Sequence, residues 1–268
     1  MTGATPRVAV IGLGLLGGRL SRELVAGHPE VSLALYSSRE NRREELGRVF
    51  DGAVRAGMVT VGSTKDDPAV GVEVVVLTGD QTSQVGAASE HLAAGRNVVT
   101  TVDSFECARE LWAMDELARK MGVTLVVGAC FSPGLTDILT AYGATRMDTV
   151  EEVHFARHGA GGPQCAADRL AAVRRPAHEW RDGRWVTHPG GSGRQLCWFP
   201  DPVGGRDAFL ADTAEPFVAV ARTGDLLRCS ARLVLSRRDR LAQHLPRMLP
   251  APFEGGVGAV RGEMRGIH

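Results

Sequence analysis

The chain has 268 residues, with 31 basic and 31 acidic side chains and a formal net charge of zero. Balanced charge argues against nucleic acid or an anionic membrane as the main partner, because either calls for a basic surplus. The length allows one large domain or two ordinary ones, and no apolar run approaches the roughly 20 residues of a membrane span.

Val8 to Ile11, in a first strand expected over Arg7 to Ile11, is an apolar, β-branched run that meets Gly12-Leu13-Gly14-Leu15-Leu16-Gly17, a GxGxxG, and a helical pattern follows over Leu15 to Gly27. Strand, glycine turn and helix in that order are what a dinucleotide site requires. Gly12 turns the chain off the strand, Gly14 leaves room for a pyrophosphate beside the backbone, and Gly17 lets the helix pack close. The N–H groups from about Gly14 through Leu15 and Leu16, with the positive end of the helix dipole, favour a phosphate.

Val31 to Tyr36 predicts a second strand, Arg39 to Val49 an exposed helix and Met58 to Val61 a third strand. Val72 to Leu77 is almost continuously apolar, as a parallel strand covered on both faces should be. Thr82 to Ala94 reads as a helix ended by Gly95, and Asn97 to Thr101 as strand five. Asp103 with Glu106 reads as the capped start of one helix to Met121, ended by Gly122, before a sixth strand over Val123 to Val127. This alternation predicts an α/β fold: an N-terminal doubly wound parallel sheet of the Rossmann type over residues 1–131, in strand order 3-2-1-4-5-6. The loops at Thr78-Gly79, Thr101-Val102-Asp103 and Ala129-Cys130-Phe131-Ser132 are expected to border the cofactor.

The alternation stops after Ser132-Pro133-Gly134. Residues 132–268 read as a second, smaller α+β domain. Its first helix is expected over Leu135 to Thr145, with Ser132 as N-cap and Pro133 at the first helical position. A strand over Glu152 to His158, a helix over Pro163 to Arg175 and a hairpin from Trp180 to Trp185 through an Asp-Gly turn follow. Gly190 to Gly205 reads as a Gly- and Pro-rich loop, and Arg228 to Ser236 and Val257 to Met264 as further strands. A small sheet without a closing helix predicts a homo-oligomer, a dimer being the commonest cover for such a face.

An NAD site usually places an acid about 20 residues past the last glycine, at the end of strand two, to bond the ribose hydroxyls. That count from Gly17 reaches Tyr36-Ser37-Ser38-Arg39, with Arg42 and Arg43 one helical turn on. Two hydroxyls and an arginine accept a 2′-phosphate that a carboxylate would repel, so NADP is expected, with NAD the alternative. The five cysteines are odd in number, widely spaced and without a CxxC pair, which predicts a reduced, intracellular, cytoplasmic protein. The first strand begins within a few residues of Met1, so no secretory leader is expected.

The run Gly128-Ala129-Cys130-Phe131-Ser132-Pro133-Gly134-Leu135-Thr136-Asp137, a sixth strand followed by a Pro-Gly-hydrophobic turn, is similar to the NAD(P)-dependent reductases around saccharopine dehydrogenase, diaminopimelate dehydrogenase and dihydrodipicolinate reductase. Phe155 to Pro163 (FARHGAGGP) and Cys197 to Gly205 (CWFPDPVGG) resemble bacterial proteins called saccharopine dehydrogenase-like. The resemblance covers most of the chain. It implies a two-domain reductase, usually oligomeric, that moves a hydride between a nicotinamide and a carbon–nitrogen bond of an amino or imino acid. Two features depart from it: Gln164-Cys165-Ala166-Ala167-Asp168-Arg169 stands where the relatives carry more basic residues, and they extend past the last strand. A second reading therefore stays open, a Rossmann-type protein without redox turnover that catalyses a cyclisation or isomerisation, or senses a nucleotide.

The candidates for substrate chemistry are few. His154 and His158 lie an even number of residues apart on a strand and so share a face; either can give a proton to an imine nitrogen near neutral pH. No HExxH or Cys/His cluster suggests a metal. Asp137, after the Pro-Gly turn, is a candidate ligand for a substrate amine, and Asp103 is a candidate ligand or a helix cap. The Gly159 to Pro163 loop, with Arg157 or Arg169, is expected to hold a substrate carboxylate on free backbone N–H groups. Cys130 reads as a small buried hydrophobe bordering the cofactor. Trp180, Trp185 and Trp198 read as core of the second domain.

Overall fold

The computed structural model describes residues 7–65, 71–159, 162–245 and 257–267. The chain folds into two compact units, residues 1–101 with 110–127 and residues 102–109 with 128–268.

The first unit follows its sequence pattern closely. Its elements are β1 (Arg7–Ile11), α1 (Leu15–Gly27), β2 (Ser32–Tyr36), α2 (Glu40–Val49), the short α3 (Asp51–Arg55), β3 (Val59–Gly62), β4 (Val74–Leu77), α4 (Gln81–Ala93) and β5 (Asn97–Thr100). After α5 (Phe105–Trp112) come α6 (Asp115–Met121) and β6 (Leu125–Val126). The strands form one parallel sheet in the order β3-β2-β1-β4-β5-β6, the expected doubly wound topology. In-register pairs such as Ala9 with Ala34 and Val10 with Val76 hold its centre. Val10, Leu13, Leu33, Leu35, Leu46, Phe50 and Val59 form a buried cluster between the sheet and its helices. Burying each large apolar side chain is worth about 1.5–3 kcal/mol, so this cluster dominates the unit's stability. Gly95 and Gly122 close their helices in positive φ, as expected.

The expected single helix from Asp103 to Met121 is two helices. Its first turn belongs to the second unit, where Phe105 stacks on His178 at 4.0 Å and meets Trp185 edge-on at 4.8 Å. The Phe105 N–H donates to the buried Asp212 carboxylate at 3.2 Å. The interruption itself falls between Trp112 and Asp115.

In the second unit, α7 (Leu135–Ala144), β7 (Thr149–His158), α8 (Pro163–Arg174), β8 (Ala177–Arg181) and β9 (Arg184–His188) occupy the expected segments. The hairpin turns on Asp182 and Gly183, both in positive φ, as an Asp-Gly type I′ turn requires. The α7 start differs from expectation: Ser132-Pro133 is a cis peptide and Gly134, not Ser132, is the N-cap. The stretch read as loop contains β10 (Gln195–Trp198), and β11 (Gly205–Leu210) begins at its end. Then come α9 (Glu215–Thr223), β12 (Arg228–Val234), α10 (Arg237–Ala242) and β13 (Ala259–Ile267). The sheet therefore has seven strands, along β10-β11-β12-β7-β13 with β8 and β9 attached at β12. It is antiparallel except for the parallel β12–β7 pair. Trp180 packs edge-on against Trp185 at 5.1 Å, as expected of core, whereas Trp198 is 66% exposed. Its alternate neighbour Cys197 takes the buried side of β10.

Candidate functional site

The glycine turn of the first unit sits at the carboxyl ends of β1, β4 and β5. Gly12 has φ +100°, and a Cβ there would lie 2.7 Å from the Gly79 Cα and 2.8 Å from the Thr78 carbonyl carbon. A Cβ on Gly17 would lie 2.6 Å from Thr78 Oγ1 and closer still to the Gly12 carbonyl oxygen. Thr78 Oγ1 donates to that same carbonyl, tying β4 to the turn. Gly14 is different: no atom lies within 4 Å of a Cβ built on it. The positions that need glycine for packing are thus Gly12 and Gly17, while Gly14 faces open space.

Gly14 is also the N-cap of α1, with no side-chain cap and no acid in the first turn. The N–H groups at the start of the helix, on Leu15, Leu16 and Gly17, have no intrahelical acceptor. Leu15 and Leu16 are themselves exposed. Such first-turn N–H groups are the kind that an anion can accept from.

Sequence reasoning does not find Gln84. Only 2% exposed, it donates through Nε2 to the Gly79 carbonyl at 2.9 Å and the Thr101 hydroxyl at 3.2 Å, and accepts from the Thr101 N–H at 2.8 Å. Thr101 Oγ1 in turn donates to the Leu77 carbonyl at 3.0 Å. One buried amide therefore locks together the two strand ends that carry Thr78-Gly79 and Thr101. Nothing in a run of small polar residues at a helix start marks this glutamine in the sequence.

The arginines after β2 divide. Arg42 Nε donates to the Leu13 carbonyl at 2.7 Å, and Arg43 Nη1 to the Ser37 carbonyl at 2.9 Å. Their spacing suggests partners for a 2′-phosphate; both are instead committed to backbone. Ser37 is buried and its hydroxyl accepts from the Arg39 N–H at 3.2 Å. Ser38 and Arg39 are exposed, with Arg39 at the N-cap of α2.

The second unit holds a buried polar group. Arg157 Nη1 donates to Asp103 Oδ2 at 3.1 Å and to the Ser132 carbonyl at 2.8 Å. Burial works against the Arg157 charge, but Asp103 and then Glu215 outweigh it and hold the guanidinium above its ordinary pKa. The Ser132 hydroxyl donates to Glu215 Oε1. Glu215, 1% exposed at the start of α9, leaves Oε2 without a partner among the described residues. Its one sequence signal is a Glu-Pro pair at a helix start, which marks the helix but not the role. Asp137 accepts the Gly134 N–H at 2.7 Å and so closes the first turn of α7. Burial pushes its carboxyl above the usual range; the Gly134 N–H opposes this and Glu215 reinforces it.

The strand β7 separates the candidates. Val153 and Phe155 pack with Ala219 of α9, and Arg157 follows on that face. His154 and His158 share the opposite face, as their spacing predicts. His154 lies between Ser230 Oγ at 2.8 Å and Glu152 Oε2 at 3.3 Å, and His158 Nδ1 lies 3.2 Å from the Val257 carbonyl oxygen. The hollow beside His154 measures about 10 Å³, barely one water. Arg169 pairs with the buried Asp239 at 2.8 Å, which commits it to structure. Of the expected carboxylate loop, Ala160 and Gly161 lie outside the described residues; Gly162 is the N-cap of α8 with Pro163 next to it. The Cys130 N–H donates to the Gly128 carbonyl at 2.8 Å, and burial raises the thiol pKa, which keeps it protonated near neutral pH.

Among the described residues, no group of three or more His, Cys, Asp or Glu is placed to hold a metal, and no helix is long and apolar enough to cross a membrane.

No protein-family model matches the chain, and no curated protein matches it. Among solved structures it is similar to apo saccharopine dehydrogenase (L-Glu forming) from Saccharomyces cerevisiae, at 15% identity, 85% of this chain, 55% of that one and a TM-score of 0.58. It also aligns with a myo-inositol dehydrogenase from Corynebacterium glutamicum (10% identity, 86% of this chain, 68% of that one, TM-score 0.49). A third alignment is with GenD2 from gentamicin A biosynthesis in complex with NAD (18% identity, 87% and 67%, TM-score 0.47). The chain spans about half the length of the yeast enzyme. At this low identity the likeness to the yeast enzyme shows the fold alone: a Rossmann-type parallel sheet followed by a second sheet domain.

Proposed function

We propose that this protein is a nicotinamide-dependent oxidoreductase that takes NADP in preference to NAD and acts at a carbon–nitrogen bond of a small amino or imino acid. The observation that carries the reading is the uncapped glycine turn: Gly12 and Gly17 are demanded by packing, Gly14 is open, and no side chain among the described residues caps the helix start. These residues fit a pyrophosphate, held on the first-turn N–H groups of α1. When bound, the nicotinamide supplies or accepts the hydride. Ser38 and Arg39, exposed at the end of β2, are our choice for the 2′-phosphate, and Thr78, Gly79 and Thr101, braced by Gln84, for the cofactor's other contacts.

For the substrate, the Asp103–Arg157 pair presents both signs of charge, as an amino acid's own zwitterion does. Arg157 suits a carboxylate and Asp103 an amine. Asp137 and Glu215 lie on that side as well, whereas His154 and His158 lie across the sheet. Cysteines Cys107, Cys130, Cys165, Cys197 and Cys229, none disulfide-bonded, fit a reducing cytoplasm. The resemblance favours a homodimer. So does α7, where Leu135 (40% exposed), Ile138 (67%), Leu139 (45%) and Tyr142 (61%) recur at helical spacing as an apolar stripe facing solvent. Sedimentation of the parent and of Ile138→Asp tests this; a parent that stays monomeric at micromolar concentrations removes the dimer.

Fluorescence titration with NADPH and NADH tests the cofactor reading. Absorbance of the nicotinamide is then followed with pyruvate, glyoxylate or 2-oxoglutarate in the presence of ammonium. Failure to bind either dinucleotide defeats the reading as a whole; tight binding without turnover on any imino acid defeats only its substrate class.

A further inference from the structure

Resting on the dinucleotide reading, we propose that Arg42 is a positioning residue for the pyrophosphate, acting through the backbone of the glycine turn rather than on the 2′-phosphate. Its guanidinium is spent on three sides. Nε donates to the Leu13 carbonyl at 2.7 Å, Nη2 reaches the Gly14 carbonyl at 3.4 Å, and Nη1 donates to Glu45 at 2.6 Å. The side chain is only 18% exposed, so these contacts form with little competition from water.

The consequence follows from peptide geometry. In a trans peptide the C=O and the following N–H point in opposite directions. The Leu13 carbonyl shares a peptide plane with the Gly14 N–H, and the Gly14 carbonyl shares one with the Leu15 N–H. Holding the two carbonyls from behind turns those two N–H groups outward, toward the side where Gly14 leaves open space. The Gly14 carbonyl also accepts the Gly18 N–H at 3.0 Å, the first bond of α1, so the helix shares in setting that plane; the Leu13–Gly14 plane lies ahead of that bond, at a glycine whose φ and ψ are loose. Arg42 constrains the Leu13 plane through the 2.7 Å bond and reinforces the Gly14 plane, and its positive charge sits behind the first-turn N–H groups.

A second observation points the same way. A Cβ on Gly18 would lie 2.6 Å from Arg42 Nη2. Gly18 lies outside the GxGxxG, in the interior of α1, where glycine costs about 0.5–1 kcal/mol relative to alanine. Its lack of a side chain leaves the space that Nη2, the nitrogen reaching the Gly14 carbonyl, occupies.

The test uses the full chain, the variants Arg42→Met, Arg42→Lys and Gly18→Ala, and three probes: NADPH, NADH and adenosine 2′-monophosphate, which has the 2′-phosphate but no pyrophosphate. Misaligning one charge-assisted N–H contact corresponds to roughly 10–30-fold in affinity. Arg42→Met is expected to weaken NADPH and NADH by that same factor and leave adenosine 2′-monophosphate unchanged. Arg42→Lys, which keeps a donor and the charge, is expected to recover part of the loss, and Gly18→Ala, which displaces Nη2 but not the Nε contact to Leu13, to give a smaller loss than the Met variant. An Arg42→Met protein with parental affinity for both dinucleotides overturns the clamp. So does a loss confined to NADPH and adenosine 2′-monophosphate, which would make Arg42 a 2′-phosphate ligand, or an equal loss for all three probes with a lowered melting temperature, which would make it merely structural. A parent that binds neither dinucleotide overturns the cofactor reading and the clamp with it; a parent that binds tightly isolates the clamp.

Discussion

Gly14 and Gly17 look alike in sequence and should behave oppositely when replaced. At Gly17, an alanine Cβ would meet Thr78 Oγ1 at 2.6 Å and press on the Gly12 carbonyl. Thr78 would have to rotate away and lose its bond to that carbonyl, about 1 kcal/mol. Overpacking against backbone adds about 1–3 kcal/mol, while alanine's better helix propensity returns about 1 kcal/mol. The net destabilisation of Gly17→Ala is therefore about 2 kcal/mol. At Gly14 nothing lies within 4 Å and φ is −73°, which any residue adopts. Gly14→Val should leave stability within about 0.5 kcal/mol of the parent, as for a surface change. It should lower NADPH affinity by about 100-fold, because the isopropyl group takes the space a pyrophosphate needs. Urea unfolding and NADPH titration on the same preparations give both readouts. A folded Gly14→Val protein that binds NADPH like the parent, or a Gly17→Ala protein as stable as the parent, refutes the reasoning.

Arg39→Ala should weaken NADPH by about tenfold and leave NADH unchanged, since only the former has a 2′-phosphate; equal effects on both, measured by titration, would remove Arg39 from that role. Asp239→Asn should cost about 3 kcal/mol in urea unfolding, because it leaves Arg169 charged and unpaired beside a fully buried position; a cost within error of zero contradicts the pairing. Asp137 binds its proton more tightly folded than unfolded, since burial raises its pKa. Its contribution is thus fully present below the unfolded value near 3.8 and is lost as pH rises through the folded value. Asp137→Asn, which keeps an acceptor for the Gly134 N–H, should flatten the fall in stability above about pH 4; denaturation midpoints at a series of pH values decide it, and parallel curves for the two proteins reject it.

Much was legible in the chain because its causes are local. The strand–glycine–helix order, the continuous apolar runs of β4 and β1, the glycines after α4 and α6 and the Asp-Gly hairpin each depend on residues a few positions apart. Alternation of strand and helix with right-handed crossovers then leaves one sheet order, the one observed. The resemblance at Gly128 to Asp137 pointed to the fold shared with saccharopine dehydrogenase.

What the tertiary structure alone decided is which polar side chains are committed and to what. Arg39, Arg42 and Arg43 are equivalent in a sequence window, yet Arg43 is spent on the nearby Ser37 carbonyl and Arg42 on that of Leu13, 29 positions away, which only the fold brings within reach. Arg157 and Arg169 are equal candidates for a substrate anion in the sequence, and burial against Asp103 in one case and Asp239 in the other gives them different surroundings. Gln84 and Glu215 carry no local signature because their roles lie in partners 17 and 83 positions away. The start of the helix after Asp103 carries Phe105 into aromatic neighbours that no sequence window contains. Periodicity reports the apolar face an element must bury, a property of the segment itself. A hydrogen-bond partner is chosen by whichever distant group the buried faces bring near once they have packed.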